Sequence, residues 1–291
     1  MSKARLIFST GSLWLTDTAY SFELAAEAGF DGIEIMCDQR FTTRDPQYLL
    51  SLAERHQLPV LAVHTPFSAD VPGWGKNSSE LGRVKASVQL AEQIGAEVVV
   101  VHLPVKLWYR AFKFGRLLQG QYLAGGIFRE IKEWIEQGTL KTMQAKTPVK
   151  IAIENMPISE ILGRSIDFAY WNTPEEWSTV HDHLTLDTTH WATFNIDPIE
   201  PLRMAGERVA HIHLSNYKQK REHRLPQDGE LNLGAFLQEL VKMNFGGTVS
   251  VELHPDALAF ENPSATRRKM AETVEFCRQH LQPITQGITV S

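Results

Sequence analysis

Cysteine is scarce in this chain, long apolar runs are absent and basic charge is in deficit. Cys37 and Cys277 are the two cysteines among 291 residues and form no CxxC pair, so no disulfide framework is indicated and both read as buried free thiols. No stretch approaches the ~18 to 20 consecutive apolar residues of a membrane span. The opening MSKARLIFSTGSLW has only Leu6, Ile7 and Phe8 in a row before Ser9, too short for the apolar core of a secretory signal. The expectation is a soluble, cytoplasmic protein with no membrane partner. With 29 Lys and Arg against 34 Asp and Glu, the net charge of −5 sets up no overall field for a phosphate backbone, which disfavours nucleic acid as a partner. The basic stretch NYKQKREHR at 216–224 is the local exception, readable as a solvated loop or as an anion contact.

What the chain does have is a repeated alternation. Apolar runs of about five residues alternate with longer amphipathic stretches, the pattern of β-α units. Strands are expected at 5–10, 32–36, 60–66, 97–102, 149–156, 183–187, 209–213 and 248–252. The run EVVVVH at 97–102 is β-branched throughout and suits a parallel strand buried on both faces. Gly29 marks the end of the first helix as a C′ glycine, and Asp45-Pro46 opens another as N-cap and N1 proline. Further helices are signalled by Ser78 or Ser79 after a Gly/Pro/Ser-rich loop at 69–80, by Thr173-Pro174-Glu175-Glu176, and near 197–207, 233–244 and 266–281.

Eight strands alternating with helices, with no linker dividing them, predict an α/β fold: a single-domain (β/α)8 TIM barrel over about residues 5–281. Residues 282–291 read as a tail or an oligomer contact. The unit at 104–148 is longer than its neighbours and rich in aromatics, with Trp108, Tyr109, Phe112, Phe114, Tyr122, Phe128 and Trp134. It reads as a specificity insert or as an extra helix packed on the barrel.

Four of the strand runs end in a residue able to bind a metal: VKIAIENM with Glu154, HLTLDTTH with Asp187, VAHIHLSN with His213 and TVSVELHP with Glu252. A carboxylate or imidazole at the end of a buried strand must find a partner, and the C-terminal ends of all strands in such a barrel converge on one face. A shared divalent cation satisfies all four at once. Three carboxylates and one imidazole suit Mn²⁺, Mg²⁺ or Co²⁺ and tolerate Zn²⁺. His64 and His102 end the third and fourth strands and read as pocket-lining substrate contacts or as ligands of a second metal. Trp14 and Trp191 read as apolar walls for a sugar ring or as core, and His181, His183 and His211 as structural.

The set GFDGIEI, VHTPF, IGAEVVVVH, IAIENM, LTLDTTH, HIHLSN and VSVELHP resembles the xylose-isomerase-like TIM barrel superfamily, which contains sugar epimerases and isomerases, endonuclease IV-type enzymes and related dehydratases. Resemblance to its ketose 3-epimerase branch implies one metal held by Glu154, Asp187, His213 and Glu252. Both glutamates would act as catalytic acid and base on a sugar or sugar phosphate, by proton transfer through an enediolate. His190 and Glu160 match substrate-contacting positions of that branch. Its substrate-holding arginine is replaced by Gln219, so Lys218 or Arg221 would have to serve.

The endonuclease IV branch, a three-zinc phosphodiesterase, matches His64, His102, Glu154, Asp187, His190, His213, His223 and Glu252. It departs where Arg221 stands in place of a carboxylate ligand, unless Glu222 substitutes; Arg221 would then suit a phosphate or carboxylate on a small substrate. A metal-dependent polyol or hydroxyketone dehydratase would share every one of these motifs, and the resemblance also allows a homo-oligomer.

Overall fold

A computed structural model of the protein describes residues 4–66, 71, 74, 79–114, 117–124, 129–161 and 163–282. The apolar runs form the barrel strands β1 (Arg5–Ser9), β2 (Gly32–Met36), β3 (Val60–His64), β4 (Val98–His102), β5 (Lys150–Glu154), β6 (Leu184–Asp187), β7 (Val209–Leu214) and β8 (Thr248–Val251). All neighbouring pairs are parallel, and β1 pairs with both β2 and β8, so the sheet closes into a barrel without edges. The fold is the expected (β/α)8 TIM barrel. Parallel pairing demands a crossover between successive strands, and helices supply it.

Side chains alternate between two environments because successive strand residues point to opposite faces. One set, including Phe8, Ile33, Ile35, Val63, Val99, Val101, Ile151, Ile153, Ile212, Leu214, Val249 and Val251, packs with helix residues such as Phe22, Leu49, Trp177 and Phe236 in the main apolar core. The other set fills the barrel.

The caps form as their sequence signals require. The Asp45 carboxylate accepts from the backbone N–H of Gln47 and Tyr48 and opens the helix Pro46–His56. Ser79 caps Glu80–Ile94 and Thr173 caps Pro174–Val180. Gly29 ends Thr18–Ala28 with φ 85°, a left-handed conformation that favours glycine. Cys37 and Cys277 are buried and unbridged.

β6 ends at Asp187, as expected, and a helix Thr188–Thr193 follows at once. The cause is the aspartate itself, whose Oδ1 accepts from the backbone N–H of Thr189 at 2.7 Å and of His190 at 2.9 Å and so caps a helix.

The insert after β4 carries an antiparallel hairpin, Leu107–Phe114 with Leu117–Ala124, before the helices Arg129–Glu136 and Thr139–Gln144. The side chains of Trp108, Tyr109, Phe112, Phe114, Tyr122 and Phe128 lie outside the described ones, as do residues 283–291 of the tail and most of the loop 69–80. Trp134 packs in the main core. Two further small hairpins, Ser159–Ile161 with Arg164–Ile166 and Asn216–Lys218 with Arg221–Arg224, follow β5 and β7. No described helix is long and apolar enough to cross a membrane.

Candidate functional site

The pairing of β5 through β8 carries Glu154, Asp187, His213 and Glu252 to one point at the C-terminal face. All four are buried, and one ligand atom from each lies within 4.8 Å of the others. His213 is at the centre. Its Nδ1 stands 2.8 Å from Glu154 Oε1, 3.2 Å from Glu252 Oε2 and 3.9 Å from Asp187 Oδ2. Its Nε2 is 3.1 Å from Glu34 Oε1. A carboxylate accepts, so Nε2 carries the hydrogen and Nδ1 is the atom turned to the three other acids.

Asp187 is held by one oxygen. Oδ1 accepts from the backbone N–H of Thr189 and His190 and from the Thr189 hydroxyl at 2.8 Å, while the buried Oδ2 has no hydrogen-bond partner. An unsatisfied buried acceptor costs ~1–3 kcal/mol, and more when charged. A divalent cation between Oδ2, Glu154, Glu252 and His213 Nδ1 removes that cost, so the donor set fits such an ion. Asn155 on the loop after β5 locks the arrangement, accepting from the Asp187 backbone N–H at 2.8 Å and donating to its carbonyl at 3.1 Å.

The charges are strongly coupled. Burial works against ionisation of Glu154, but the His213 charge and the hydrogen bond from His102 hold its carboxyl well below the usual range. Burial pushes Glu252 up, with the His213 charge opposing. Burial disfavours the imidazolium of His213, yet Glu252, Glu34 and Glu154 together raise it well above an ordinary histidine. Two carboxyls beside one imidazole are thus driven in opposite directions.

Four more histidines surround this cluster. His64 Nε2 and His102 Nε2 each lie 3.2 Å from Glu154 Oε2. His64 Nδ1 donates to the Thr65 carbonyl at 2.6 Å, so a hydrogen on Nε2 as well makes it cationic. Glu154 raises its pKa accordingly, in spite of burial. His102 is pushed down by burial, against the influence of Glu154. His190 Nδ1 donates to the Asn155 carbonyl at 2.7 Å, which turns Nε2 toward Asp187 Oδ2 at 3.9 Å. Asp187, His190 and His223 form a second group of possible ligands within 4.8 Å.

The cluster opens into a cavity of about 770 Å³. Glu154, Glu252, His64, His102, His190, His223 and Trp14 line it, together with apolar residues such as Met36, Val101, Met156 and Leu253. Asp187 and His213 lie beneath. Several expected contacts point elsewhere. Trp191 is fully buried against Trp177, with ring centroids 5.5 Å apart, because the helix begun by Asp187 turns it into the core.

Glu160 pairs with Lys220 at 2.7 Å, Lys218 with Asp228 and Arg221 with Asp256, all partly exposed, and none of the three expected contacts lines the cavity. Sequence reasoning also passed over residues that matter here. Glu34 touches His213, while His254 and the Asp38–Arg40 ion pair line the cavity. Glu34 had the same signal as Glu154, an acid inside an apolar strand. Glu222 lines the cavity with its Oε1 buried and unpartnered, and burial raises its pKa.

The chain belongs to the xylose isomerase-like TIM barrel family, whose model matches residues 22–280. An uncharacterized protein of Mycobacterium leprae is 29% identical over 306 residues, covering 94% of this chain and 96% of that protein. One of Mycobacterium tuberculosis is 28% identical over 296 residues with the same coverage.

Among solved structures, a D-tagatose 3-epimerase-like protein superposes with a TM-score of 0.65 at 20% identity, over 95% of this chain and 97% of the other. The 3-keto-D-glucoside 4-epimerase of E. coli gives 0.66 at 16%, over 94% and 99%. The D-psicose 3-epimerase of Clostridium cellulolyticum H10, crystallised with D-tagatose, gives 0.67 at 13%, over 96% and 100%. At these identities the likeness establishes the fold.

Proposed function

We propose that this member of the xylose isomerase-like TIM barrel family is a divalent-metal-dependent isomerase or epimerase of a sugar or sugar phosphate. Glu154, Asp187, His213 and Glu252 would hold the ion, and Glu154 and Glu252 would carry a proton from and to carbon through an enediolate. The observation that carries the reading is the unpartnered Asp187 Oδ2 at the point where three other ligand atoms converge, directly below a cavity roomy enough for a sugar. The similarity to sugar epimerases across nearly the whole chain supports it.

A bound Mn²⁺, Mg²⁺, Co²⁺ or Zn²⁺ would supply positive charge beside the substrate carbonyl, which acidifies the neighbouring C–H bond. His64 and His102 hold the second oxygen of Glu154, so its first oxygen keeps a fixed direction. His190 and His223 face the cavity and offer ring nitrogens to substrate hydroxyls. Trp14, Met156 and Leu253 give it apolar wall surface beside these polar groups.

Incubation with pentuloses, hexuloses and their phosphates in D₂O, with Mn²⁺ or Co²⁺ present, is expected to place deuterium on the reacting carbon of one of them. Absence of exchange across that panel would count against the reading.

A second reading is an endonuclease IV-type zinc phosphodiesterase. It is favoured by the two imidazoles at Glu154 Oε2 and by the group Asp187, His190 and His223, which would suit further zinc ions. Arg221, paired with Asp256, supplies no ligand. Nicking of abasic-site DNA together with two or three zinc ions per chain would move this reading to first place.

A further inference from the structure

Glu34 sits in the middle of β2, fully buried and outside the cavity lining. Its carboxylate bridges two imidazoles of β7: Oε1 is 3.1 Å from His213 Nε2 and Oε2 is 3.0 Å from His211 Nε2. On its far side His211 Nδ1 is 2.7 Å from the Thr248 hydroxyl of β8. Every member of this chain is at most 1% exposed.

Stability does not call for a carboxylate in such a place. Apolar residues of similar volume in place of buried ionic groups are often neutral or stabilising, and the inward positions of β3 and β4 carry Ala62 and Val100.

We propose that Glu34 is a positioning residue for the cation, resting on the metal-dependent reading above. It holds His213 as the Nε2–H tautomer and so presents the Nδ1 lone pair to the ligand set, while His211 and Thr248 hold Glu34. The logic is one of donors and acceptors. An ionised carboxylate can only accept, so both Nε2 atoms must donate. For a neutral His213 this leaves Nδ1 bare, and Nδ1 is the atom that faces Glu154, Asp187 and Glu252. For a neutral His211 it leaves Nδ1 as acceptor for the Thr248 O–H. The negative charge behind the ring also raises the basicity of the ligating nitrogen, as carboxylate partners of metal-bound histidines do.

The test is cation affinity, measured on the whole protein after stripping with a chelator. Co²⁺ is titrated by calorimetry and by its visible absorption into the wild type, Glu34→Gln and Thr248→Val. Glu34→Gln keeps shape and removes charge. It is expected to weaken Co²⁺ binding ~10- to 100-fold and to change the Co²⁺ spectrum, with circular dichroism unchanged. Thr248→Val is expected to weaken binding by a smaller factor.

Wild-type affinity and spectrum in a folded Glu34→Gln would overturn the positioning role and leave the metal reading standing. A wild type that takes up no cation would overturn the metal reading and this inference with it. Should Glu34→Gln not fold, Thr248→Val decides, since unchanged Co²⁺ affinity there overturns the proposal and weakened affinity supports it.

Discussion

The barrel interior is filled in two different ways. On β1, β3, β4 and β5 it carries Ile7, Leu61, Ala62, Val98, Val100 and Ala152, an apolar cluster separate from the main core. On β2, β6, β7 and β8 it carries Glu34, Thr185, His211, Thr248 and Ser250, equally buried. Barrels of this fold are ordinarily filled by branched apolar residues, so the first region is what packing alone selects. The second departs from it on the strands that supply Asp187, His213 and Glu252. The polar filling is thus confined to one side of the barrel interior, while the site above it also draws on the apolar side, through Glu154 at the end of β5 and through His64 and His102 at the ends of β3 and β4.

That division can be broken or sharpened by substitution. The largest effect is expected at Glu252→Gln, which removes a proton carrier and should cut carbon-bound hydrogen exchange by ~10²- to 10⁴-fold with circular dichroism unchanged; wild-type exchange would take Glu252 out of the chemistry. Ile7→Ala on the apolar side should lower the unfolding free energy in urea by ~2–5 kcal/mol while cation affinity stays within twofold. If affinity falls as far as in Glu34→Gln, the two regions are not separable.

His181 sharpens the comparison from outside the barrel. It is buried like His211 and His213, but among the described residues no carboxylate is hydrogen-bonded to it, its Nε2 has no hydrogen bond, and burial pushes its pKa down from 6.5 to about 4 against the opposing charge of Asp182. The unfolded chain therefore binds this proton first as pH falls. Its contribution is complete above the unfolded value of 6.5 and is lost progressively toward pH 4. His181→Gln should flatten that part of the stability curve measured by chemical unfolding; an unchanged slope would assign the loss to other groups.

The smallest effect is expected at Arg221→Ala. This partly exposed pair with Asp256 should contribute ~0–1 kcal/mol, and exchange should stay within twofold. A tenfold drop in exchange would mean that Arg221 reaches the substrate after all.

The strands were legible because apolar runs such as EVVVVH have one good solution, burial in a parallel sheet. The four candidate ligands were legible for the complementary reason, since acids and histidines in apolar strands need partners. Glu34 carried the same signal in GIEIM. It went unrecognised because a lone acid there has no visible partner in sequence, and His211 and His213 meet it only once the barrel closes, 177 and 179 residues away.

The loops were not legible in the same way. Periodicity places residues along a strand, whereas the direction of Glu160, Lys218 and Arg221 is set by hairpins and by ion pairs to Lys220, Asp228 and Asp256. Of the two readings open for Trp191, wall or core, the core is the one realised. Once Asp187 is seen as an N-cap as well as a candidate ligand, the helix after it turns Trp191 away from His190 and into the core.

The central claim is that a cation completes Asp187, and Asp187→Asn tests it most directly. Asparagine keeps a carbonyl oxygen for the helix cap but places an N–H donor where Oδ2 stands, a group that cannot bind a cation. Metal content per chain, measured by mass spectrometry after equilibration with Mn²⁺ and gel filtration, is predicted to be about one in the wild type and near zero in the folded variant. Equal metal in both, or none in the wild type with Mn²⁺, Mg²⁺, Co²⁺ or Zn²⁺, would contradict it.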